Sequence, residues 1–351
     1  MFDSLFGLFS HDMGIDLGTA NTLVLVKGKG IVIREPSVVA QHKKTKQILA
    51  VGSEAKKMLG KTPATILAFR PLKNGVIADF DATVGMLSYY IKKVHSAPQM
   101  FFPKIPRPLV VVGIPSGVTE VERRAVQEAC LAAGARRAYL IEEPMAAAIA
   151  AGVPVEEPTG GMIVDIGGGT TEMAVISLGG IVLNKSLRVA GDEMDEAIIH
   201  FLRLKYGILL GERSAEEVKV QIGSAYAPKE KGDRMTVIRG RDLETGMPKS
   251  LKIAESEVRE ALAPVVNTIL ESIKELIEET PPEFISDILE KGIILCGGGS
   301  QLKGLDKLVA EMAKMPVWVA DDPMTCVVRG CGRVLENPKL LEKVKVTGGL
   351  R

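Results

Sequence analysis

The chain has 351 residues, 46% of them hydrophobic and 25% charged, which is a globular composition long enough for two domains. Its net charge of +1 gives no field that favours nucleic acid, and no apolar run approaches the roughly 20 residues of a membrane-spanning helix. Four scattered cysteines without a CxxC pair predict reduced thiols in the cytoplasm, and four histidines without metal-ligand spacing argue against a zinc site.

The first ten residues have an apolar pattern of their own. Apolar side chains recur there at helical spacing, at Phe2, Leu5, Phe6 and Phe9. Aromatic residues make up only 4% of the chain, so three phenylalanines in this segment are a concentration. The pattern predicts an amphipathic membrane anchor, and because the segment lacks Lys and Arg its insertion would be mainly hydrophobic. The alternative is a terminus docked on the body of the protein.

The next feature is a glycine-containing loop, called the first loop below, which covers residues 14–22 (GIDLGTANT). It follows a short apolar stretch and leads into an alternating run at 23–26, a glycine turn at 28–30 and a second run at 31–33. Alternation bounded by glycine turns predicts strand, hairpin and strand.

Further elements follow along the first half of the chain. Strands are predicted at 48–51, 109–114 and 138–141, and helices at 53–59, 81–95, 119–133 and 144–152. Ser53 is the expected N-cap of the helix at 53–59, and Gly134 is the expected C-cap of the helix at 119–133. Phe101 and Phe102, in a proline-bounded loop, are predicted to form a second membrane wedge.

Glu143 lies where a predicted strand ends and a helix begins. Proline is favoured at the first helical position, so Pro144 places Glu143 at the cap. One interpretation is a structural cap, since carboxylates suit helix N-termini. The other is a carboxylate that faces a cleft and orients or deprotonates a water for attack on a γ-phosphate. Because adjacent strand side chains point to opposite faces, only one of Glu142 and Glu143 should reach the cleft.

A second loop, residues 164–172 (VDIGGGTTE), repeats the first almost half the chain later. It too leads into an alternating run, a glycine turn and another strand-like run, which indicates a duplicated domain with a cleft between the copies. Glycines and consecutive amides of such loops form anion nests. Hydroxyl and amide side chains could also reach phosphate oxygens: Thr19, Asn21, Thr22, Thr170 and Thr171.

The aspartates of the two loops require a different partner. Asp16 and Asp165 would repel a phosphate, so they predict a hard cation, Mg²⁺, between them and the phosphates. The alternative for each loop alone is an ordinary hairpin with an Asp-Gly turn.

The remaining elements alternate again. Helices are predicted at 192–206, 215–222, 255–279, 302–315 and 324–336, and strands at 235–243, 249–253, 292–296 and 316–319. The glycine turn at 297–300 follows a strand and would let the backbone lie against a base and ribose. Glu216 and Lys219 share one side of a helix, where they could contact the ligand or form a surface ion pair.

Together these motifs resemble the actin, sugar-kinase and heat-shock-chaperone ATPase superfamily. Within it, the chain is similar over nearly its whole length to the MreB family of bacterial actin homologues, which organise rod-shaped growth. The closest motifs are IDLGTANT at 15–22, EEPMAAA at 142–148, DIGGGTTE at 165–172 and DPMTCV at 322–327. Cys296 and Ser300 depart from the Thr and Ala expected there.

The resemblance implies an actin-like α/β fold, with duplicated ribonuclease-H-like domains flanking a nucleotide cleft. Residues 1–144 with 318–351 would form one domain, with a small subdomain at about 33–70, and residues 145–317 the other, with a small subdomain at about 182–250. It also implies ATP as the ligand. Glu143 would position the attacking water and Thr170 would assist. The expected contacts with ATP and Mg²⁺ are Asp16, Gly18, Thr19, Ala20, Asn21, Asp165, Gly167, Gly168, Gly169, Thr170, Glu216, Glu217, Val218, Lys219, Gly297, Gly298, Gly299 and Ser300.

The predicted function is an actin-like ATPase that polymerises with itself on the inner face of the cytoplasmic membrane. The predicted role is to organise cell-wall synthesis together with membrane proteins of the cell-elongation machinery, with no nucleic-acid partner. A sugar kinase, a chaperone ATPase and a phosphohydrolase of the same fold are the alternatives. The sequence shows neither a substrate aspartate motif for a kinase nor a peptide-binding region for a chaperone.

Overall fold

The computed structural model of the protein describes residues 10–96, 107–227 and 232–346. The predicted membrane anchor (Phe2, Leu5, Phe6 and Phe9) and the predicted wedge (Phe101 and Phe102) lie outside the described residues and stay predictions. No described helix combines the length and the apolar character that crossing a bilayer requires.

The first half of the chain alternates strands and helices. In chain order the elements are β1 (Met13–Leu17), β2 (Asn21–Val26), β3 (Gly30–Pro36), β4 (Val39–His42), β5 (Ile48–Val51), α1 (Ser53–Met58), β6 (Ile66–Phe69), β7 (Leu72–Lys73), β8 (Val76–Ile77), α2 (Phe80–His95), β9 (Leu109–Ile114), α3 (Glu120–Ala132), β10 (Arg137–Glu142) and α4 (Glu143–Ala151).

The second half continues the same alternation. Its elements are β11 (Gly161–Ile166), β12 (Thr171–Ser177), β13 (Gly180–Leu187), α5 (Gly191–Tyr206), β14 (Ile208–Leu209), α6 (Glu212–Ile222), β15 (Met235–Asp242), β16 (Pro248–Ala254), α7 (Glu255–Glu279), α8 (Pro282–Lys291), β17 (Ile293–Cys296), α9 (Leu305–Ala313), β18 (Val317–Val319), α10 (Cys326–Glu336) and α11 (Pro338–Val344).

Two five-stranded sheets share one topology. Their orders are β3-β2-β1-β9-β10 and β13-β12-β11-β17-β18. In each sheet the first three strands are antiparallel neighbours and the last three are parallel. The predicted hairpins around the first and the second loop are therefore confirmed, and the duplication extends to the strands that follow them.

Two helices connect the halves and fill the space between the sheets. α4 leads from β10 toward β11, and α10 leads from β18 back to β1 and β9. Their side chains form one core cluster with inward residues of both sheets, including Val111 and Ile163. The helices cross very closely, because a Cβ atom on Gly330 would lie 1.9 Å from the carbonyl oxygen of Ala146. Only glycine fits at that crossing.

Smaller sheets lie outside this frame. β5-β4-β6 with α1 is inserted after the first hairpin, and β14-β15-β16 lies between the helices of the second half. These positions match the elements predicted for residues 48–59 and 235–253, whereas the proposed domain boundaries stay a prediction.

Several local predictions were wrong. Gly52, with a φ of 70°, is the N-cap of α1, because the Ser53 hydroxyl donates instead to Glu35 Oε2 at 2.6 Å. The C-cap of α3 is Ala133, and Gly134 follows it with a φ of 111°. α8 and α11 were not predicted, although each begins at a proline, which is favoured in the first helical turn.

Candidate functional site

A cavity of about 490 Å³ lies where the first loop faces the second loop. Most of the residues predicted to bind a nucleotide line it. They are Asp16, Gly18, Thr19, Ala20, Asn21, Glu143, Asp165, Gly167, Gly168, Gly169, Thr170, Glu216, Lys219, Gly297, Gly298 and Gly299. Segments that are far apart in the sequence thus converge on one space.

The glycines of the second loop allow the two loops to touch. A Cβ atom on Gly168 would lie 2.5 Å from the Cβ of Ala20, and one on Gly169 would lie 2.7 Å from Thr19 Oγ1. Any side chain at these positions would push the loops apart. The second loop is closed by a hydrogen bond from the Gly167 amide to the Thr170 carbonyl at 2.8 Å.

Carboxylates are concentrated at the floor of the cavity. Burial raises the pKa of Asp16 to about 7. Burial, reinforced by the charge of Asp16, raises the pKa of Asp165 well above its usual range. The pKa of Glu143 is also raised well above its usual range, first by burial and then by the charges of Glu172, Asp16 and Asp165. Such a cluster is stabilised in its ionised form by a cation.

The donor set fits magnesium better than a metal held by protein alone. Among the described residues, no group of three or more His, Cys, Asp and Glu side chains could hold a metal ion. Mg²⁺ usually takes one or two carboxylates and completes its shell with water and phosphate oxygens. Asp16 and Asp165 could supply hard oxygen ligands of that number.

Three residues of the predicted nucleotide set do not line the cavity. Glu217 pairs with Arg213 at 3.0 Å on the exposed side of α6. Val218 is buried in the core of the second half, and the Ser300 hydroxyl donates to the Gly297 carbonyl at 2.7 Å. Adjacent helix residues point in directions about 100° apart, so Glu217 and Val218 turn away from the cavity that Glu216 and Lys219 line.

Glu143 occupies the first turn of α4 rather than the cap. Glu142 is the N-cap, and it makes no capping hydrogen bond through its side chain. Glu143 lines the cavity whereas Glu142 does not, so only one of the two adjacent carboxylates faces that space. The predicted placement of Glu143 at the cap was therefore wrong by one residue.

Lys219 and Glu216 do not pair with each other. Lys219 Nζ donates to the Gly191 carbonyl at 2.6 Å and lies 2.9 Å from Asp195 Oδ1. Glu216 pairs instead with Lys56 of α1, at 2.8 Å. The predicted alternative of a Glu216–Lys219 surface pair was wrong, because each side chain finds a partner on a different element.

Two residues that were not predicted also line the cavity, Arg70 and Gly75. The Gly75 amide, in the turn between β7 and β8, donates to Thr19 Oγ1 at 2.9 Å. Asn74 and Gly75 both have positive φ, as a two-residue hairpin turn requires, so the Asn-Gly pair was a usable signal. Arg70 also lines the cavity and pairs with Asp192 at 2.7 Å across the mouth. Nothing in the local sequence indicates that pair.

Comparison with protein families places the chain. A family model described as MreB/Mbl protein matches residues 10–343. The chain belongs to the MreB/Mbl family. It is 52% identical to the cell shape-determining protein MreB of Escherichia coli (strain K12), over 94% of both chains. It is 46% identical to the cell shape-determining protein Mbl of Bacillus subtilis (strain 168), over 97% of this chain and all of that one.

Solved structures of the MreB/Mbl family and beyond share the fold. MreB5 of Spiroplasma citri bound to AMPPNP is 38% identical, has a TM-score of 0.86, and is matched over 94% of this chain and 97% of its own. A MamK double helical filament is 23% identical with a TM-score of 0.76, over 93% and 99% of the two chains. The actin-like α/β fold predicted from the sequence is confirmed.

Proposed function

We propose that this protein is an ATP-dependent, actin-like filament protein that determines cell shape. The observation that carries the proposal is the convergence of the first loop, the second loop and Glu143 on one cavity, in a member of the MreB/Mbl family. The E. coli and B. subtilis relatives are cell shape-determining proteins, and the MamK relative was solved as a double helical filament.

ATP is the proposed ligand of the cavity. MreB5 of S. citri was crystallised with AMPPNP and with ADP. Backbone amides of the two loops, with the Thr19 and Thr170 hydroxyls, would hold the phosphates. Glu216, Lys219 and the turn at 297–299 would border the base and ribose. Mg²⁺ beside Asp16 and Asp165 would offset the phosphate charge.

Hydrolysis would depend on Glu143. Its half-buried carboxylate would accept a hydrogen bond from a water and take the proton as that water attacks the γ-phosphate. The surroundings that raise the pKa of Glu143 also make its ionised form a stronger base. Thr170, which also lines the cavity, would help to orient the same water.

Glu143→Ala tests the chemistry, with Glu142→Ala as the matched control. We expect Glu143→Ala to slow phosphate release by roughly 10²-fold while the Kd for ATP changes little, since a general base acts in the transition state. Glu142→Ala should leave both quantities near those of the unchanged protein. Equal loss of ATP affinity in both variants would contradict the proposed role of Glu143.

Filament assembly is tested by electron microscopy of the purified protein with ATP and a lipid monolayer. Filaments that form with ATP and not without nucleotide are the expected result. Hydrolysis of ATP without any assembly would favour a phosphohydrolase of the same fold instead.

Membrane attachment would occur through residues 1–10, on the inner face of the cytoplasmic membrane and beside the membrane proteins of cell elongation. Burying its four large apolar side chains contributes about 6–12 kcal/mol. Ordering the segment as a helix costs roughly 1–2 kcal/mol for each residue. For ten residues that cost, about 10–20 kcal/mol, equals or exceeds the gain, so one subunit should bind weakly and a filament tightly. Liposome co-sedimentation should rise steeply with protein concentration, and deletion of residues 1–10 should lower it sharply. Binding that the deletion leaves unchanged would contradict the anchor.

A further inference from the structure

A buried carboxylate at the end of the second loop joins the two halves of the protein. Glu172, in β12, is 1% exposed. Its Oε2 accepts hydrogen bonds from the Ser116 amide at 3.0 Å and from the Ser116 hydroxyl at 2.5 Å. Its Oε1 accepts a hydrogen bond from the Ser186 hydroxyl at 2.6 Å. Both carboxylate oxygens therefore have partners inside the protein.

The donors come from opposite halves. Ser116 lies in the loop between β9 and α3, and β9 belongs to the first five-stranded sheet. Ser186 lies in β13, next to Glu172 in the second sheet. The two segments pack tightly, because a Cβ atom on Gly117 would lie 2.8 Å from the Cβ of Ser186. Glu172 is thus at a joint between the sheets.

The same joint adjoins the proposed catalytic groups. Glu172 is the Cα partner of Asp165 across β11 and β12, so both side chains lie on one face of the sheet. Pro115 and Thr170 both pack against Gly75, where a Cβ atom would lie 2.6 Å from Pro115 and 3.0 Å from Thr170. A displacement of the loop that contains Ser116 would therefore also shift Thr170.

The fold does not require an acid at this position. In the second sheet Asp165 pairs with Glu172, whereas in the first sheet Asp16 pairs with Leu23. A buried charge held by hydrogen bonds is often no more stabilising than an apolar residue of similar size. The carboxylate is therefore better explained by what it holds than by the stability of the sheet.

We propose that Glu172 is a positioning residue for the ATP hydrolysis proposed above, an inference that rests on that function. By holding Ser116 and Ser186 together, Glu172 sets the separation of the two halves at the floor of the cavity. Glu143, which begins a helix leading out of the first sheet, and Thr170, in the second loop, then face the same water. Loss of the joint would leave the ligand contacts in place and misplace the two groups relative to each other.

The test compares Glu172→Ala, Glu172→Gln and Ser116→Ala in the full chain. Glutamine is the matched control, since its oxygen can accept both bonds from Ser116 and its amide can donate to the Ser186 hydroxyl. We expect Glu172→Ala to lower kcat roughly 10- to 100-fold with little change in KM or in the Kd for ATP. Glu172→Gln should retain most of the activity. Ser116→Ala should lower kcat less, and adding it to Glu172→Ala should cause no further loss.

The outcomes separate this inference from the function on which it rests. If the wild-type protein neither binds nor hydrolyses ATP, the proposed function is overturned. If the unchanged protein hydrolyses ATP, normal kcat in Glu172→Ala would overturn the inference. An equal loss of activity in Glu172→Gln and Glu172→Ala would also overturn the inference. The negative charge of Glu172, rather than its hydrogen bonds to Ser116 and Ser186, would then be what matters. Should Glu172→Ala fail to fold, Ser116→Ala decides, and an unchanged kcat in that variant would overturn the inference.

Discussion

The first loop and the second loop have the same backbone plan but different surroundings. Asp16 is opposite Leu23, and burial alone raises its pKa to about 7. Asp165 is opposite Glu172, and nearby negative charges, led by that of Asp16, add to the effect of burial on its pKa. Each aspartate is therefore hard to ionise without a cation beside it.

The two loops are also held in different ways. In the first loop, the Ser37 hydroxyl donates to the Gly18 carbonyl at 2.6 Å and lies 2.8 Å from the Thr22 hydroxyl. In the second loop, glycines pack directly on Ala20 and Thr19, and Glu172 reaches across to the other half. The comparison indicates that duplication preserved the strands and turns, while the side chains around them came to differ.

The largest expected effect is on hydrolysis when either aspartate is removed. Asp16→Ala and Asp165→Ala should each lower the rate of ATP turnover by roughly 10²–10³-fold, because phosphate charge would lose its offset. We expect the two losses to be similar, since the two aspartates occupy equivalent positions in the two loops. Phosphate release at saturating ATP and Mg²⁺ measures both, with the exposed Asp81→Ala as control. Normal turnover in a variant that carries both Asp16→Ala and Asp165→Ala would contradict the proposed Mg²⁺ site.

A smaller effect is expected on stability at the position where the loops differ. Leu23 is 5% exposed, so Leu23→Ala should lower the free energy of unfolding by about 2–5 kcal/mol. Urea unfolding measures the change. Val32→Ala, at a side chain that is 44% exposed, is the control and should cost much less. A Leu23→Ala variant as stable as this control would mean that the first loop does not depend on its apolar support.

The smallest effect is expected where the loops are alike. The Thr171 hydroxyl donates to the Val189 carbonyl at 2.7 Å, and Thr22 is hydrogen-bonded to Ser37. Replacement of either threonine by valine keeps the shape and removes one buried hydrogen bond, which should cost about 1 kcal/mol in each case. Thermal unfolding of Thr22→Val and Thr171→Val measures this. Clearly unequal costs would show that the two copies differ at this position as well.

Sequence alone determined much of the fold and most of the candidate site. Glycine positions and alternating apolar residues are local properties, so both hairpins, the long helix α7 and the loops around Asp16 and Asp165 were predictable. The Glu-Glu-Pro junction placed a carboxylate at the start of α4 to within one residue. The error at Ser53 arose because a cap contributes only about 0.5–2 kcal/mol, and the carboxylate of Glu35 offered the Ser53 hydroxyl another partner.

Tertiary structure decided which of those residues meet. Glu172 was visible only as the last residue of a motif, since its partners Ser116 and Ser186 lie far from it in the chain. Arg70 and Lys56 likewise carry no local signal for pairing with Asp192 and Glu216. Backbone preferences act between neighbours along the chain, and sequence patterns record them. Hydrogen bonds and ion pairs between the halves depend on how the two sheets pack around α4 and α10, and only the folded structure sets those distances.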